Sequence, residues 1–237
     1  MNFDFSDDQK LLRDQARKFL TDKCDRSIVR SILENDQLNH SNNLWKEISA
    51  MGWTGTAIPE AYGGLGFGML ELCVIAEELG RSLAPTPFSS SIYLFAEFIK
   101  LFGSEEQKKK YLPSIASGEK IGTFAFSEGN GTPKPHNINS AFSDGKLNGE
   151  KSPVNDGSVS DFVVIAANTD TNKNHMSLSL FIIDTKQDGM KSEYLETIDP
   201  SRPSSRMILQ NVEAELLGTS GEGWDMIQKI FNRAAVL

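Results

Sequence analysis

The sequence changes character near residue 120, and that change most constrains the fold. Before it, apolar residues recur at the three- and four-residue spacing of amphipathic helices; after it, segments are short, β-rich and separated by turn residues. A run of helices followed by a run of strands indicates an α+β protein or separate domains. We therefore predict an all-α domain over 1–119, a small β-barrel or sandwich over 120–220, and the start of a further helical domain over 221–237.

Local signals place the individual elements. Ser6 followed by Gln9 has the form of a capping box that opens a helix, and Asp144-Gly145 is typical of a two-residue hairpin turn. The predicted helices cover 6–20, 43–51, 69–83, 88–102 and 104–115, with a last one beginning near Gly223. The predicted strands cover 122–127, 139–142, 146–150, 162–167, 177–184 and 206–211.

The charge and composition of the chain limit the classes of function that it can have. The chain of 237 residues has 24 basic and 32 acidic side chains, a net charge of −8, and therefore lacks the basic surface that nucleic-acid binding requires. No apolar run approaches the length of a membrane span, and the acidic N-terminus is unlike a signal peptide. Two cysteines, Cys24 and Cys73, give no disulfide framework and are expected to be buried free thiols. These features predict a soluble cytoplasmic protein.

A glycine-rich turn at 58–66 separates two helical segments. Gly63, Gly64 and Gly66 permit backbone angles that other residues avoid, and Pro59 ends the preceding segment. Such a turn forms either a packed corner or the entrance to a ligand site. Because glycine clusters mostly punctuate a fold, the residues alone favour the packed corner.

Several motifs, taken in order, resemble the acyl-CoA dehydrogenases, flavoenzymes that desaturate acyl thioesters. They are PEAYGGLG at 59–66, EELGR at 77–81, FAFSE at 124–128, GEKSPVNDG at 149–157, DPSRP at 199–203 and LGTSGEG at 217–223. The resemblance implies a bound FAD, an acyl-CoA substrate, an electron acceptor such as an electron-transferring flavoprotein, and a homo- or hetero-oligomer. From the residues alone, DPSRP is better explained as a turn built from two prolines.

The motif at 124–128 resembles the family strand whose end contacts the flavin. In the family, backbone amides there meet the pyrimidine ring and a threonine hydroxyl reaches N5; preorganised donors of this kind stabilise the negative charge of reduced flavin. The resemblance thus implies that Phe124, Phe126 and Ser127 contact the cofactor, with Ser127 in the threonine position. Without the resemblance, the same residues describe an ordinary strand that ends in a small polar residue.

The motif at 149–157 aligns with a family segment in which tryptophan packs on the flavin and threonine assists. Here Pro153 takes the tryptophan position and Asn155 the threonine position, so Pro153, Val154 and Asn155 are the implied cofactor residues. Proline offers apolar surface without aromatic stacking. In the preceding loop, Pro133 replaces a family serine that contacts coenzyme A or the flavin phosphates, and it has neither hydroxyl nor amide hydrogen.

No catalytic residue is assigned, because in the family the glutamate that removes the α-proton lies in a C-terminal helical domain. The last predicted helix carries an apolar face of Trp224, Ile227 and Phe231 close to the chain end at Leu237. That face either docks on the preceding domains or belongs to a truncated chain; we expect truncation. The three histidines have no metal-ligand spacing, so no metal site is expected.

Two classes of function follow. The first is an FAD-dependent acyl-CoA dehydrogenase of which this chain is a fragment or an incomplete subunit. The second is a non-catalytic partner subunit that keeps the fold while its flavin loops have diverged. The substitutions at Pro133, Pro153 and Asn155 keep the second class open.

Overall fold

A computed structural model describes residues 4–34, 40–129, 133–170, 177–199 and 201–237. The predicted α+β architecture is confirmed, with helices in the first half and strands in the second. The described helices are α1 (Asp7–Lys23), α2 (Arg26–Leu33), α3 (Asn42–Ala50), α4 (Met69–Arg81), α5 (Glu97–Phe102), α6 (Glu105–Ala116) and α7 (Gly223–Ala234).

The N-terminal helix begins as its sequence predicts. The Ser6 hydroxyl accepts a hydrogen bond from the Gln9 amide, and the Gln9 side chain accepts one from the Ser6 amide, which completes the capping box. Ala16 and Leu20 are the fully buried residues of α1 and face α4, which carries a broader apolar surface. The first helix therefore packs on α4 through one narrow apolar face.

The segment predicted as one helix over 88–102 is a π-helix, Ser89–Ala96, that continues into α5. π-Helices are rare and frequently lie at functional sites. This one packs on the first strand and presents three consecutive serines to the β half of the protein. The sequence signalled a helix here but not its wider turn.

The β half forms one sheet. Its strands are β1 (Gly122–Ala125), β2 (Ala141–Ser143), β3 (Lys146–Asn155), β4 (Phe162–Asn168), β5 (Leu178–Asp184), β6 (Met190–Leu195), β7 (Ser204–Glu213) and β8 (Glu215–Leu217). Their order is β6-β7-β3-β2-β4-β5-β8, and β1 runs parallel to β4. Among the described residues the two outer strands do not pair with each other, so the sheet is open and not a closed barrel.

The hairpin between β2 and β3 turns at Asp144 and Gly145, both with positive φ, as a tight two-residue turn requires. The strands β6 and β8 were absent from the sequence prediction. Both lie at sheet edges. In β6, polar residues such as Lys191 and Glu193 weaken the apolar alternation that marks a strand, whereas β8 has only three residues, too few to show a pattern.

Two apolar clusters hold the fold together. The larger one joins the helices to one face of the sheet, and the smaller one lies on the other face around Phe181 and Met207. The last helix, α7, docks on the larger cluster through Met226, Ile227 and Ile230. In the structure this apolar face docks on the preceding elements, although Phe231 remains 42% exposed.

The glycine-rich turn at 58–66 is a packed corner. It folds back on the preceding segment through backbone hydrogen bonds from Leu65 to Gly55 and from Gly66 to Ile58, each 2.9 Å long. A Cβ on Gly64 would lie 2.0 Å from the Ile58 carbonyl oxygen, so only glycine permits this approach. The prediction of a corner is therefore confirmed.

The cysteine prediction is correct for Cys24 and only partly so for Cys73. Both thiols are free, but Cys24 is buried whereas Cys73 is half-buried. Within the described part of the chain, none of the helices combines the length and apolar character needed to cross a bilayer.

Candidate functional site

The two segments singled out for flavin contact are neighbours in space. Just beyond the end of β1, the Ser127 carbonyl accepts a hydrogen bond of 2.8 Å from the Ser152 amide, and the Gly129 amide donates one of 2.7 Å back to the Ser152 carbonyl. These bonds extend the sheet in parallel between the end of β1 and the middle of β3. We call the edge formed by Ser127, Pro153 and Asn155 the strand-end edge.

The three residues of the strand-end edge are accessible. Ser127 is half-buried, and Pro153 and Asn155 are exposed. No hydrogen bond of the Ser127 hydroxyl is found among the described residues, so this donor is free for a ligand. Asn155 is anchored, because its carbonyl accepts from Thr123 and its Oδ1 accepts from Ser204. The arrangement offers a fixed edge with an available hydroxyl.

The other three predicted cofactor residues point into the core. Phe124 and Phe126 are 8% and 5% exposed, and Val154 is 1% exposed. Their side chains therefore cannot stack on a planar ligand in this arrangement; only their backbone groups could face one. For Val154 the reason is strand alternation, which turns every second side chain of β3 inward.

Helix α7 covers the aromatic side chains of β1. The Phe126 ring lies 6.0 Å from Trp224 and 6.3 Å from Phe231, centroid to centroid. Phe231 also meets Phe124 edge-on at 5.9 Å. These aromatic contacts fix α7 beside the strand end while leaving Ser127 accessible.

A buried ion pair lies directly behind the strand-end edge. Lys151 of β3 is 0% exposed, and its Nζ donates to Glu128 Oε1 over 2.6 Å. The same Nζ lies 3.4 Å from the Phe126 carbonyl oxygen. Glu128 also accepts hydrogen bonds from the backbone amides of Asn139 and Ser140.

Burial and pairing act in opposite directions on the two members of that pair. Burial lowers the pKa of Lys151 to about 8, although the Glu128 carboxylate favours the charged form. Burial would raise the pKa of Glu128, but the Lys151 ammonium and the hydrogen bonds from the Asn139–Ser140 backbone outweigh it and the pKa is lowered. The carboxylate is thus ionised and engaged, which leaves it no free role as a proton acceptor.

A second buried carboxylate, Asp156, follows β3 and joins the two halves of the protein. Its Oδ2 accepts from the Ser90 hydroxyl at 2.5 Å and from Arg202 Nη2 at 2.7 Å. Arg202 also donates to Ser89 at 2.6 Å, and Ser91 accepts from the Gly122 amide at 3.2 Å. The serines of the π-helix therefore dock one after another onto the β half.

A cavity of about 300 Å³ opens beside this junction. Its walls are mainly apolar, from Leu79, Leu83 and Phe88, and its polar end contains Tyr93 and Arg202. Burial raises the pKa of the Tyr93 hydroxyl, so it stays neutral and can donate a hydrogen bond. Such a cavity suits an apolar group that carries a polar substituent.

Sequence reasoning missed the ion pairs Lys151–Glu128 and Arg202–Asp156. It treated 199–203 as a turn, whereas Arg202 from that segment binds Asp156, and it left Lys151 and Glu128 without roles. The sequence shows Lys151 inside a strand and Arg202 beside a proline, but neither position reveals the partner residue. Pro133 is half-buried, and residues 130–132 of its loop lie outside the described residues.

No group of histidine, cysteine or carboxylate side chains suited to a metal ion occurs in the ranges that the structure describes. The strand-end edge instead offers a neutral donor, the Ser127 hydroxyl, on a backbone that sheet hydrogen bonds hold in place. That donor set fits the rim of a flat, polar-edged organic group better than a cation.

Comparison with known proteins agrees with the motifs. Residues 6–119 match the family described as acyl-CoA dehydrogenase, N-terminal domain. A probable acyl-CoA dehydrogenase of Bacillus subtilis (strain 168) is 31% identical over 243 residues, covering 97% of this chain and 40% of that protein.

Solved structures extend the likeness to the β half. An acyl-CoA dehydrogenase from Bacillus anthracis, complexed with FAD, has a TM-score of 0.86 at 26% identity and covers 97% of this chain and 40% of that one. A glutaryl-coenzyme A dehydrogenase in complex with glutaryl-CoA has a TM-score of 0.87 at 27% identity, covering 98% and 62%.

The chain therefore spans between two fifths and two thirds of the length of these relatives. Within that span it matches both the helical part and the strands that follow. The chain belongs to the acyl-CoA dehydrogenase family.

Proposed function

We propose that the protein containing this chain is an FAD-dependent acyl-CoA dehydrogenase that introduces an α,β double bond into an acyl-CoA thioester. The observation that carries the proposal is the strand-end edge, where an unengaged Ser127 hydroxyl lies beside the exposed residues Pro153 and Asn155. In a member of this family, that edge is suited to the polar rim of the flavin ring. We further propose domain limits of 1–119, 120–220 and 221–237.

The residues of the edge would hold FAD as follows. The Ser127 hydroxyl would donate to the flavin near N5, and backbone groups of Phe124, Phe126 and Val154 would face the pyrimidine edge. Pro153 and Asn155 would bound the ring from β3. When bound, FAD supplies the hydride acceptor of the reaction. Donors already fixed by the sheet need no reorganisation to stabilise the charge that develops on the ring.

No described residue is proposed as the base that removes the α-proton. Glu128 is the carboxylate nearest to the strand end along the chain, but Lys151 and the amides of Asn139 and Ser140 engage it. A base must reach the proton that it abstracts, and an ionised group enclosed by its own donors cannot. We propose that the base is supplied by another part of the whole protein.

The cavity beside Tyr93 and Arg202 is proposed to receive part of the acyl group. Its position is linked to the strand-end edge through Arg202 and Asp156, which directly follows Asn155. We also propose that electrons leave to a partner such as an electron-transferring flavoprotein and that the protein is a homo- or hetero-oligomer.

A second candidate function is a non-catalytic partner subunit with weak flavin affinity. The exposed position of Pro153 favours it, because proline gives the ring no aromatic face to stack on. A partner subunit would keep the fold and the subunit contacts without turning over substrate.

The proposal is tested by titrating FAD into the purified full-length protein. We expect tight binding in the wild type and about tenfold weaker binding in Ser127→Ala, the loss of roughly one good hydrogen bond. Ser143→Ala is the matched control, since Ser143 is an exposed strand serine at the end of β2. Equal FAD affinity of Ser127→Ala and wild type would show that the hydroxyl does not contact the cofactor.

Anaerobic addition of acyl-CoA thioesters then separates the two candidates. A dehydrogenase loses its oxidised-flavin absorbance when a suitable thioester reduces the cofactor. A protein that binds no FAD by itself, and acquires none until a second subunit is added, supports the partner-subunit function instead.

A further inference from the structure

The lysine behind the strand-end edge is unusual in its surroundings. Among the described residues Lys151 is the only fully buried lysine, and it is as inaccessible as the core residues Phe95 and Phe98. Burying an ammonium costs far more than burying a methionine of similar size. Packing alone therefore does not account for a lysine at this position.

The contacts of Lys151 and Glu128 tie together three parts of the β half. Glu128 accepts the backbone amides of Asn139 and Ser140, which lead into β2 and are called the returning segment below. Lys151 then binds the same carboxylate and approaches the Phe126 carbonyl. One ion pair thereby connects the end of β1, the returning segment and β3.

The same pair determines where the candidate flavin donor stands. Ser127 lies between Phe126 and Glu128, the two residues that Lys151 contacts. The Ser127 carbonyl is fixed from β3 by the adjacent Ser152 amide. With both neighbours and its own carbonyl held, the Ser127 backbone has little freedom to shift along the edge, and the hydroxyl projects from that fixed position. Small displacements of such a donor cost binding and rate steeply.

We propose that Lys151 and Glu128 are positioning residues for the cofactor, setting the place of Ser127 and of the returning segment at the flavin edge. The inference rests on the proposed FAD binding. It distinguishes two roles for the pair: one that only stabilises the fold, and one whose loss also weakens cofactor binding in a folded protein.

The test is a double-mutant cycle in the full-length protein, with Lys151→Met, Glu128→Met and the double variant. Each protein is measured for unfolding by urea and for FAD affinity well below its melting temperature. An apolar pair fills the space of a buried ion pair without an uncompensated charge, so we expect the double variant to recover the stability lost by each single one. We expect its FAD affinity to stay about tenfold or more below wild type, with an altered visible circular dichroism of the bound flavin.

The matched control is the exposed ion pair between Lys146, on the same strand β3, and Glu213 at the end of β7. The corresponding Lys146→Met and Glu213→Met cycle should leave FAD affinity unchanged. If the single Lys151 and Glu128 variants do not fold, the double variant and its control still decide the question.

Hydrogen exchange gives a measurement that does not need FAD. In Glu128→Gln, which keeps the shape of the side chain, the amides of Asn139 and Ser140 should exchange about tenfold faster or more than in wild type. Unchanged exchange there would overturn the role of the pair in holding the returning segment.

The outcomes separate the two proposals. A wild-type protein that binds no FAD overturns the proposed function and the positioning role toward FAD together. A wild type that binds FAD while the folded double variant binds it equally well overturns the positioning role alone.

Discussion

Two buried carboxylates flank the candidate cofactor residues of β3: Glu128 pairs with Lys151 just before them, and Asp156 directly follows them. The two differ in how completely their oxygens are hydrogen-bonded. Both oxygens of Glu128 are hydrogen-bonded, by Lys151 and by the amides of Asn139 and Ser140. Asp156 has Oδ2 bonded to Ser90 and Arg202, whereas Oδ1 is buried and finds no partner among the described residues.

The difference reflects what each carboxylate connects. All partners of Glu128 belong to the β half, so this group organises the sheet around the strand-end edge. Asp156 instead joins the β half to the π-helix through Ser90. A fully satisfied polar network stiffens its surroundings, while a partly satisfied one carries a cost.

The largest expected loss of stability follows from breaking the Lys151–Glu128 ion pair. Lys151→Met leaves the Glu128 carboxylate buried without its counter-charge, so we expect the free energy of unfolding to fall by about 3–5 kcal/mol. Urea denaturation followed by circular dichroism measures it. Lys146→Met on the same strand should change stability by less than about 0.5 kcal/mol; equal losses in both variants would remove the distinction between buried and exposed pairs.

Asp156→Asn should cost less, about 1–3 kcal/mol, because the side chain of Arg202 is 33% exposed and water partly replaces its partner. The loss should appear mainly as a looser contact between the halves. Hydrogen exchange in the π-helix segment at 89–96 would report it, with Lys151→Met as the comparison. A larger loss of stability in Asp156→Asn than in Lys151→Met would reverse the proposed ranking.

The packing of the two halves gives a third comparison. A Cβ on Gly122 would lie 2.2 Å from Phe95 Cγ, so Gly122→Ala should destabilise by about 1–3 kcal/mol. Gly80→Ala meets no atom within 4 Å and lies in α4, so it should stabilise by about 0.5–1 kcal/mol. Thermal melts of the two variants should shift in opposite directions; a shared direction would contradict this account of the interface.

The smallest expected effect is the pH dependence of folding stability and of FAD affinity. The pKa of Lys151 is about 8 in the folded protein against an ordinary value of 10.5. Between these values the unfolded chain holds a proton that the folded chain has released, so this group makes the folded state more stable as pH rises. FAD affinity should fall over the same range because the ammonium donor is lost. The double Lys151 and Glu128 variant should show neither trend when both quantities are measured from pH 7 to 10.

Local signals predicted much of the fold. The capping box at Ser6 and the turn at Asp144 depend on near neighbours, and both formed as expected. The apolar positions of α4 likewise marked a central helix. The edge strand β6 was not predicted because its polar residues lack the alternation that identifies strands in sequence, and β8 was not predicted because it has only three residues.

The site was predicted less completely. Family motifs placed the two segments that meet at Ser127 and Ser152, but not which side chains would face outward. The pairing of Lys151 with Glu128, and of Arg202 with Asp156, joins residues 23 and 46 positions apart. Such long-range pairs are decided by the packed sheet, and a single sequence carries no local signal for them.

A dehydrogenase of this kind must bind a flavin at the strand-end edge, and the absorbance spectrum of the purified full-length protein is the decisive measurement. We predict that the protein retains a flavin spectrum after excess FAD is added and then removed by gel filtration, and that Ser127→Ala retains less than Ser143→Ala. A protein that stays colourless under the same treatment would contradict the account.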